Sequence, residues 1–323
     1  MEGLTVRILS VWDTAGVFVP IAKWLNEHGC EARILMRSEH DPHGQTRLSP
    51  YARMVDSYRD FIIAVIDEIL TFRPTVIHVN YIYEELPLVR LIAPLTPIIY
   101  QYHGGDVRER IARGLPPHEE TQLADKIIVS TDDLQAYGEW YDRPIPDTFY
   151  YRGGRVPGTA LMNYVSYVII DQRPLAARLC SERGLKLTIL DRDEGPTVPY
   201  VGMPSFLSKF EYYLDFKGHI ERTVLSKTAL EALACGCKVI QDADLSKVIT
   251  DATPYVRHNH PSDYAKLYAR MKTSAVHFLR TVPVLVRYLL LTKRGLLFLR
   301  AAIGHGIPRL LRSCRTKTRR RSP

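Results

Sequence analysis

Residues 5–36, TVRILSVWDTAGVFVPIAKWLNEHGCEARILM, decide how the chain is read. Thr5–Val11 is a short β-rich run. The loop Trp12-Asp13-Thr14-Ala15-Gly16 follows, then a helix over Val19–His28 that Gly29 ends as a C-cap residue. Glu31–Met36 is the next strand. Strand, loop, helix and strand in that order open a doubly wound α/β sheet. Downstream, Tyr51–Phe72 has helical spacing, with Phe61, Ile62, Val65, Ile69 and Leu70 on one face and Pro74 as its stop. Thr75–Val79, Pro97–Tyr102 and Lys126–Ser130 are apolar runs without alternation, which predicts parallel strands buried on both faces. A short helix is expected at Glu85–Ile92, and the polar stretch 38–50 is expected to be a mobile loop.

The segment 142–157, DRPIPDTFYYRGGRVP, is dense in Pro and Gly and reads as a linker. A second α/β series follows: strands at Tyr164–Asp171, Lys186–Leu190, Tyr212–Phe216 and Lys238–Gln241, with helices at Leu175–Gly184 and Lys227–Ala234. The 323 residues suit two domains. The expected division is an N-terminal Rossmann-like domain over 1–148, a C-terminal Rossmann-like domain over 149–265 and a basic amphipathic helical tail over 266–323.

Hydrophobic residues make up 46% and charged residues 24%, which excludes disordered, collagenous and disulfide-scaffold classes. Five scattered cysteines without paired metal spacing fit a reducing compartment, and no signal peptide is expected. The net charge of +8 is unevenly placed. No Asp or Glu follows Asp263, and Arg270–Pro323 holds 14 Lys and Arg, leaving 29 basic against 35 acidic residues elsewhere. An acidic body thus carries a cationic end suited to an anionic partner.

Three constellations could carry chemistry. His103-Gly104-Gly105-Asp106 follows the strand PIIYQY. Its glycines permit a sharp turn, and His103 and Asp106 could bond hydroxyls or move protons; the bland alternative is a turn with a satisfied His. In 225–240, LSKTALEALACGCKVI, Ser226 is a good N-cap and the helix start beside Lys227 is a phosphate site. Glu231 lies one turn further on, where a carboxylate can grip paired ribose hydroxyls; the alternative is a capped helix with a solvated Glu. The loop 13–16 is weaker, since many βα turns hold Gly. Asp191-Arg192-Asp193 and His258-Asn259-His260 read as surface turns, and no metal site is expected.

These blocks, HGGDVR, ADKIIVSTDDL and LSKTALEALACGCKVI, together with FRPTVIHVNYIYEELPLVRL at 72–91, resemble family 4 (group 1) glycosyltransferases of the GT-B fold, over roughly residues 5–260. The resemblance implies two Rossmann-like doubly wound α/β domains facing a cleft, followed here by the basic helical extension. It implies transfer of a hexosyl group from a nucleotide sugar with retention of configuration, no cofactor and no bound metal. Glu231 would bond the donor ribose, Ser226, Lys227 and Thr228 would face the diphosphate, Gly16 would approach the donor, and His103 would sit by the transferred sugar; Asp106 of the same loop is the second catalytic candidate. Two features depart from the family pattern. Thr223 stands where a second Glu is usual, with Glu221 out of register. The usual basic pair is replaced at best by Arg173 and by Lys217, and these are the remaining donor-binding candidates.

In the tail, short apolar runs alternate with single bases, and no uncharged run approaches the roughly 20 residues that span a bilayer. Packing is expected up to about Thr281. Beyond it, an interfacial segment is expected to bind anionic membrane at about 1 kcal/mol per base near the surface. The expected setting is cytoplasmic, peripheral on the inner face of the cell membrane, with a lipid-linked or surface-glycan acceptor and no nucleic acid. Two other readings compete: a nucleotide-sugar-binding protein inactive because of Thr223, and a nucleic-acid binder through the tail.

Overall fold

The computed structural model describes residues 6–13, 16–41, 44–151, 153–164, 171–191, 198–216, 224–241, 244–273, 275–301 and 303–304. The chain divides into two compact units, one of residues 1–130, 134–141 and 261–323, the other of 131–133 and 142–260.

Unit 1 is built on seven parallel strands: β1 (Arg7–Val11), β2 (Glu31–Arg37), β3 (Ala52–Val55), β4 (Val76–Asn80), β5 (Ile98–Tyr102), β6 (Lys126–Val129) and β7 (Glu139–Trp140). Their order is β3-β2-β1-β4-β5-β6-β7, a doubly wound Rossmann-like sheet. Alternate residues serve opposite faces. Leu9, Val11, Ile77, Val79, Tyr100 and Tyr102 join the core with α2 (Tyr58–Phe72) and α3 (Leu86–Ile92). Ile8, Val76, Ile99 and Ile128 join the core with α1 (Phe18–Glu27) and α8 (Pro261–Arg270). A short α4 (Arg108–Ala112) follows β5.

Unit 2 has five strands, β8 (Val156–Tyr164), β9 (Lys186–Asp191), β10 (Phe210–Asp215), β11 (Lys238–Gln241) and β12 (Asp244–Ile249), in the order β12-β11-β10-β8-β9. All pairs are parallel except β11 with β12. One face packs α6 (Met203–Leu207) and α7 (Lys227–Ala234), the other α5 (Arg173–Glu182). Read from β8, this is the second common doubly wound order. The chain is therefore α/β with two Rossmann-like units and a helical C-terminal part.

Several expectations are corrected. The helix expected from Tyr51 starts at Tyr58, where the Ser57 hydroxyl accepts the Asp60 amide; residues 52–55 pair with β2 as an edge strand instead. The described residues of the stretch 38–50, expected to be mobile, are packed and hydrogen-bonded. Asp41, Gln45, Thr46 and Ser49 are buried, the Asp41 carboxylate accepts the Arg47 amide, and the Thr46 hydroxyl donates to Asp13. The first strand of unit 2 is β8, which shares only Tyr164 with the strand expected at Tyr164–Asp171; residues 165–170 of that expectation lie outside the described residues.

The C-terminal boundary also moves. Helix α8, which straddles the expected boundary at 265/266, packs in unit 1: Tyr264 and Tyr268 are fully buried against the sheet, and Tyr268 Oη lies 2.8 Å from His78 Nδ1. Packing does not stop near Thr281 either. Helices α9 (Ala275–Leu291) and α10 (Lys293–Ala301) bury Leu285, Tyr288, Leu289 and Phe298 in the unit 1 core. The reason is helical periodicity, which gives this tail one inward stripe as well as an outward one. Residues 305–323 lie outside the described residues.

Candidate functional site

In doubly wound sheets, ligands bind beyond the carboxyl ends of strands where the strand order reverses. Unit 1 reverses between β1 and β4, and unit 2 between β8 and β10.

At the unit 1 switch point both strands end in strained backbone. Trp12, just after β1, has φ 73°, and Tyr81, just after β4, has φ 65°. Bulky residues occupy this region only where the surroundings hold them there, and such strain gathers at functional sites. Asn80 joins the two ends. Its Nδ2 donates to Ser10 Oγ at 3.0 Å and to the Trp12 carbonyl at 3.2 Å. Its Oδ1 therefore faces His103 Nε2 at 3.1 Å.

That contact fixes the imidazole. Nε2–H donates to Asn80 Oδ1, Nδ1 lies 3.0 Å from Ser130 Oγ, and Ser130 Oγ accepts from Gln101 Nε2 at 2.9 Å. His103 is held in one ring orientation between Asn80 and Ser130. Asp106 closes the same loop: it accepts the His103 amide at 3.2 Å and the Gly104 amide at 2.8 Å. Burial pushes its carboxyl up to about 6, with these amide bonds pulling the other way. Gly104 has φ +107°, and a Cβ there would strike the Arg108 guanidinium.

Gly16 adjoins the same edge with φ +63°. A Cβ there would overlap the Gln45 side chain, whose Nε2 donates to the Gly16 carbonyl at 3.0 Å. The neighbour that requires glycine is thus the 38–50 segment. Asp13 is also built in: its carboxylate accepts the Phe18 amide at 2.7 Å and the Thr46 hydroxyl at 3.1 Å.

In unit 2, β10 ends at Asp215, whose carboxylate accepts the Ser226 amide at 2.9 Å and sets the start of α7. Ser226 is the N-cap, its hydroxyl accepting the Ala229 amide at 3.1 Å. The other first-turn amides of a helix have no partner within it. At the far end Gly236 takes φ 86°, its amide donates to Leu233 and the Cys237 amide to Ala232, a Schellman closure that sends the chain into β11. Lys227 and Glu231 are both buried and pair at 3.3 Å across one turn. Tyr200 Oη donates to the same Glu231 oxygen at 3.0 Å, and Lys227 Nζ lies 5.0 Å from the Tyr200 ring centre.

Ser226, Lys227, Thr228 and Glu231 thus share one helix, and His103 and Asp106 share one loop. Arg173 lies on a different turn, at the start of α5 beyond β8. It pairs with Asp171 at 2.9 Å and Asp191 at 3.5 Å and covers the Tyr164 ring. Lys217, Glu221 and Thr223 lie outside the described residues. Among the described residues, no group of three or more His, Cys, Asp and Glu is placed to hold a metal ion. A groove of about 350 Å³ beside β2 and β3 contains none of the predicted site residues, and its Arg33 and Arg53 are already paired with Glu68 and Asp67.

Sequence reasoning did not single out Asn80, Tyr81, Ser130, Tyr200 or Asp215. A polar residue closing an apolar strand was the available signal for Asn80, in TVIHVN, and for Asp215, in FEYYLD.

No protein-family model matches the sequence, and no curated protein matches it. Among solved structures, the chain is similar to an alpha-glucosyltransferase in complex with UDP and a 13-mer DNA containing an HMU base, with 12% identity, a TM-score of 0.48, and coverage of 88% of this chain and 100% of that one. It is also similar to the spinosyn forosaminyltransferase SpnP, with 12% identity, a TM-score of 0.43, and 96% and 99% coverage. A third is a UDP-N-acetylglucosamine 2-epimerase from Rickettsia bellii, with 10% identity, a TM-score of 0.45, and 94% and 97% coverage.

Proposed function

We propose that the protein is a GT-B glycosyltransferase that moves a hexosyl group from a nucleotide sugar to a lipid-linked or surface-glycan acceptor, with retention and without a metal. The observation that carries this reading is the start of α7. A capped helix N-terminus follows the switch-point strand β10, with the buried Lys227–Glu231 pair one turn inside it. Helix-start amides favour a diphosphate, and a carboxylate at Glu231 accepts from the ribose diol. Lys227 offsets the charge of Glu231 while it is buried.

In transfer, the bond from the anomeric carbon to the donor phosphate breaks and a bond to the acceptor oxygen forms. The nucleoside diphosphate leaves with the electron pair, and the acceptor proton passes to it. The amides and Lys227 stabilise the negative charge that grows on the leaving group. His103, fixed by Asn80 and Ser130, serves the transfer step by orientation rather than as a mobile base. Asp106 is a positioning residue for that loop.

The test is a thermal-shift screen of UDP-, GDP- and ADP-sugars, since a ligand bound only by the folded state raises its stability. One nucleotide class should raise the melting temperature, and Glu231→Gln should weaken its binding by about 10- to 100-fold, the loss of charged hydrogen bonds. If no nucleotide shifts the melt, or Glu231→Gln binds as well as the parent chain, the reading fails. Thr223, where the resembled family has a Glu, favours a second reading of binding without turnover. Hydrolysis or transfer of the nucleotide sugar found in the screen separates the two.

A further inference from the structure

Helices α9 and α10 have two faces. The inner one is docked. Besides the buried Leu285, Tyr288, Leu289 and Phe298, Tyr288 Oη donates to the Glu84 carbonyl at 3.1 Å and Arg294 pairs with the Glu84 carboxylate at 3.2 Å. Gly295 permits the close turn between the helices: a Cβ there would lie 2.3 Å from the Tyr288 carbonyl oxygen.

The outer face has a different composition. Leu279, Pro283, Val286 and Leu290 recur at intervals of four, three and four, one line along a helix, and all are exposed. Leu290 and Leu291 are 60% and 76% exposed. On α10, Leu296 and Leu297 are exposed in the same way. Bases flank these rows: Arg280, Lys293 and Arg300 are exposed, Arg287 is exposed while pairing with Glu119 at 3.4 Å, and the whole segment after Asp263 has no acidic residue. No helix among the described residues is long and apolar enough to cross a membrane.

From this juxtaposition we infer that the outer face of α9 and α10 inserts into the interface of an anionic phospholipid bilayer. Charge complementarity selects the occupant. A second copy of the chain would bring like charges together across the contact. A nucleic acid would take up the bases but leave the leucine rows in water, whereas a bilayer buries leucines beneath its headgroups and pairs the bases with its phosphates. The face is also fixed in direction. Its anchor, Glu84, lies four residues beyond Asn80, so the docked pair flanks the sheet edge that carries Asn80 and His103. A membrane held there would present headgroup-borne acceptors to unit 1. This last consequence rests on the proposed transferase reading; the membrane binding does not.

The full-length chain, its Leu290→Glu/Leu296→Glu variant and its Leu290→Ser/Leu296→Ser variant should be sedimented with phosphatidylglycerol–phosphatidylcholine vesicles, with phosphatidylcholine vesicles and with duplex DNA, at physiological and high salt. The parent chain should bind the anionic vesicles, keep part of that binding at high salt, and ignore phosphatidylcholine alone. The Glu variant should lose at least about tenfold in partitioning and the Ser variant a smaller part, because both the buried area and the charge matter. Unchanged melting temperatures establish that the variants are folded, as expected at exposed positions. Variants that bind vesicles as well as the parent chain overturn the inference. So does binding that high salt removes completely, preference for DNA over the anionic vesicles, or a dimer that the Glu variant dissociates. A failed nucleotide screen with intact leucine-dependent vesicle binding sinks the transferase reading alone.

Discussion

The two sheets share a winding rule but end differently. The carboxyl edge of the first is closed by side chains bonded to one another: Asn80 to Ser10 and His103, His103 to Ser130, and Asp106 to the loop amides. The carboxyl edge of the second is closed by a helix start, with one amide capped by Ser226 and the charges of Lys227 and Glu231 set against each other. The first arrangement holds a ring in one orientation. The second offers a dipole and amides to an anion. The difference teaches that one doubly wound plan can supply either rigidity or a binding end, according to which polar residues close its strands.

His103→Ala is the sharpest way to break the comparison. If unit 1 supplies orientation and unit 2 supplies nucleotide grip, turnover should fall by about 100-fold or more. Affinity for the free nucleotide should stay within a factor of about two. Steady-state kinetics beside calorimetric titration of the nucleotide reads both, and a parallel loss of affinity would erase the distinction.

Two other buried titratable groups of unit 1 make a pH prediction. Glu85 is buried, accepts from Tyr58 Oη at 3.0 Å, and is pushed up to about 7 by burial, with Glu84 beside it adding to the rise. A carboxyl raised in the folded state stabilises the fold below its ordinary value of about 4.5, and that contribution is lost as pH rises through about 7. His78 acts in the opposite sense. Burial lowers it to about 3, so its contribution is present above about 6.5 and is lost as pH falls toward 3. Glu85→Gln should therefore gain stability over the parent chain between pH 5 and pH 8, by on the order of 2–3 kcal/mol. Denaturant melts at the two pH values measure it, and a pH-independent difference would exclude Glu85 as the titrating group.

A smaller effect is expected at the edge of β1. Gly16→Ala should cost on the order of 1–2 kcal/mol, from its positive φ and from overlap with Gln45. Gln45→Ala in the same chain should restore part of it by opening that space. If Gly16→Ala leaves stability untouched and removes donor binding, the glycine is there for a ligand and not for Gln45.

Much of this architecture was legible locally. The buried strands TVIHV and PIIYQY have apolar residues on both faces, the pattern expected of a covered parallel sheet. The α7 cap and its glycine closure follow from backbone chemistry within a dozen residues. In the loop 38–50 polar composition resembles solvent exposure, yet its Gln45 and Thr46 are buried against Gly16 and Asp13, some 30 residues earlier in the chain. At residues 52–55 the helical periodicity of 58–72 masks a short edge strand that gains its identity only by pairing with β2.

The sequence by itself determined the two α/β series, the helix that offers its N-terminus, and the segregation of bases after Asp263, since each depends on neighbours within a turn or a strand. Only the tertiary structure decided that α8 returns to the first sheet through Tyr264 and Tyr268, that His103 is locked between Asn80 and Ser130, and which leucines of α9 face inward. Those outcomes depend on partners far apart in the chain, 190 residues for His78 and Tyr268 and 204 for Glu84 and Tyr288. Local periodicity shows that a face is apolar, but burial against a particular surface decides which face it is.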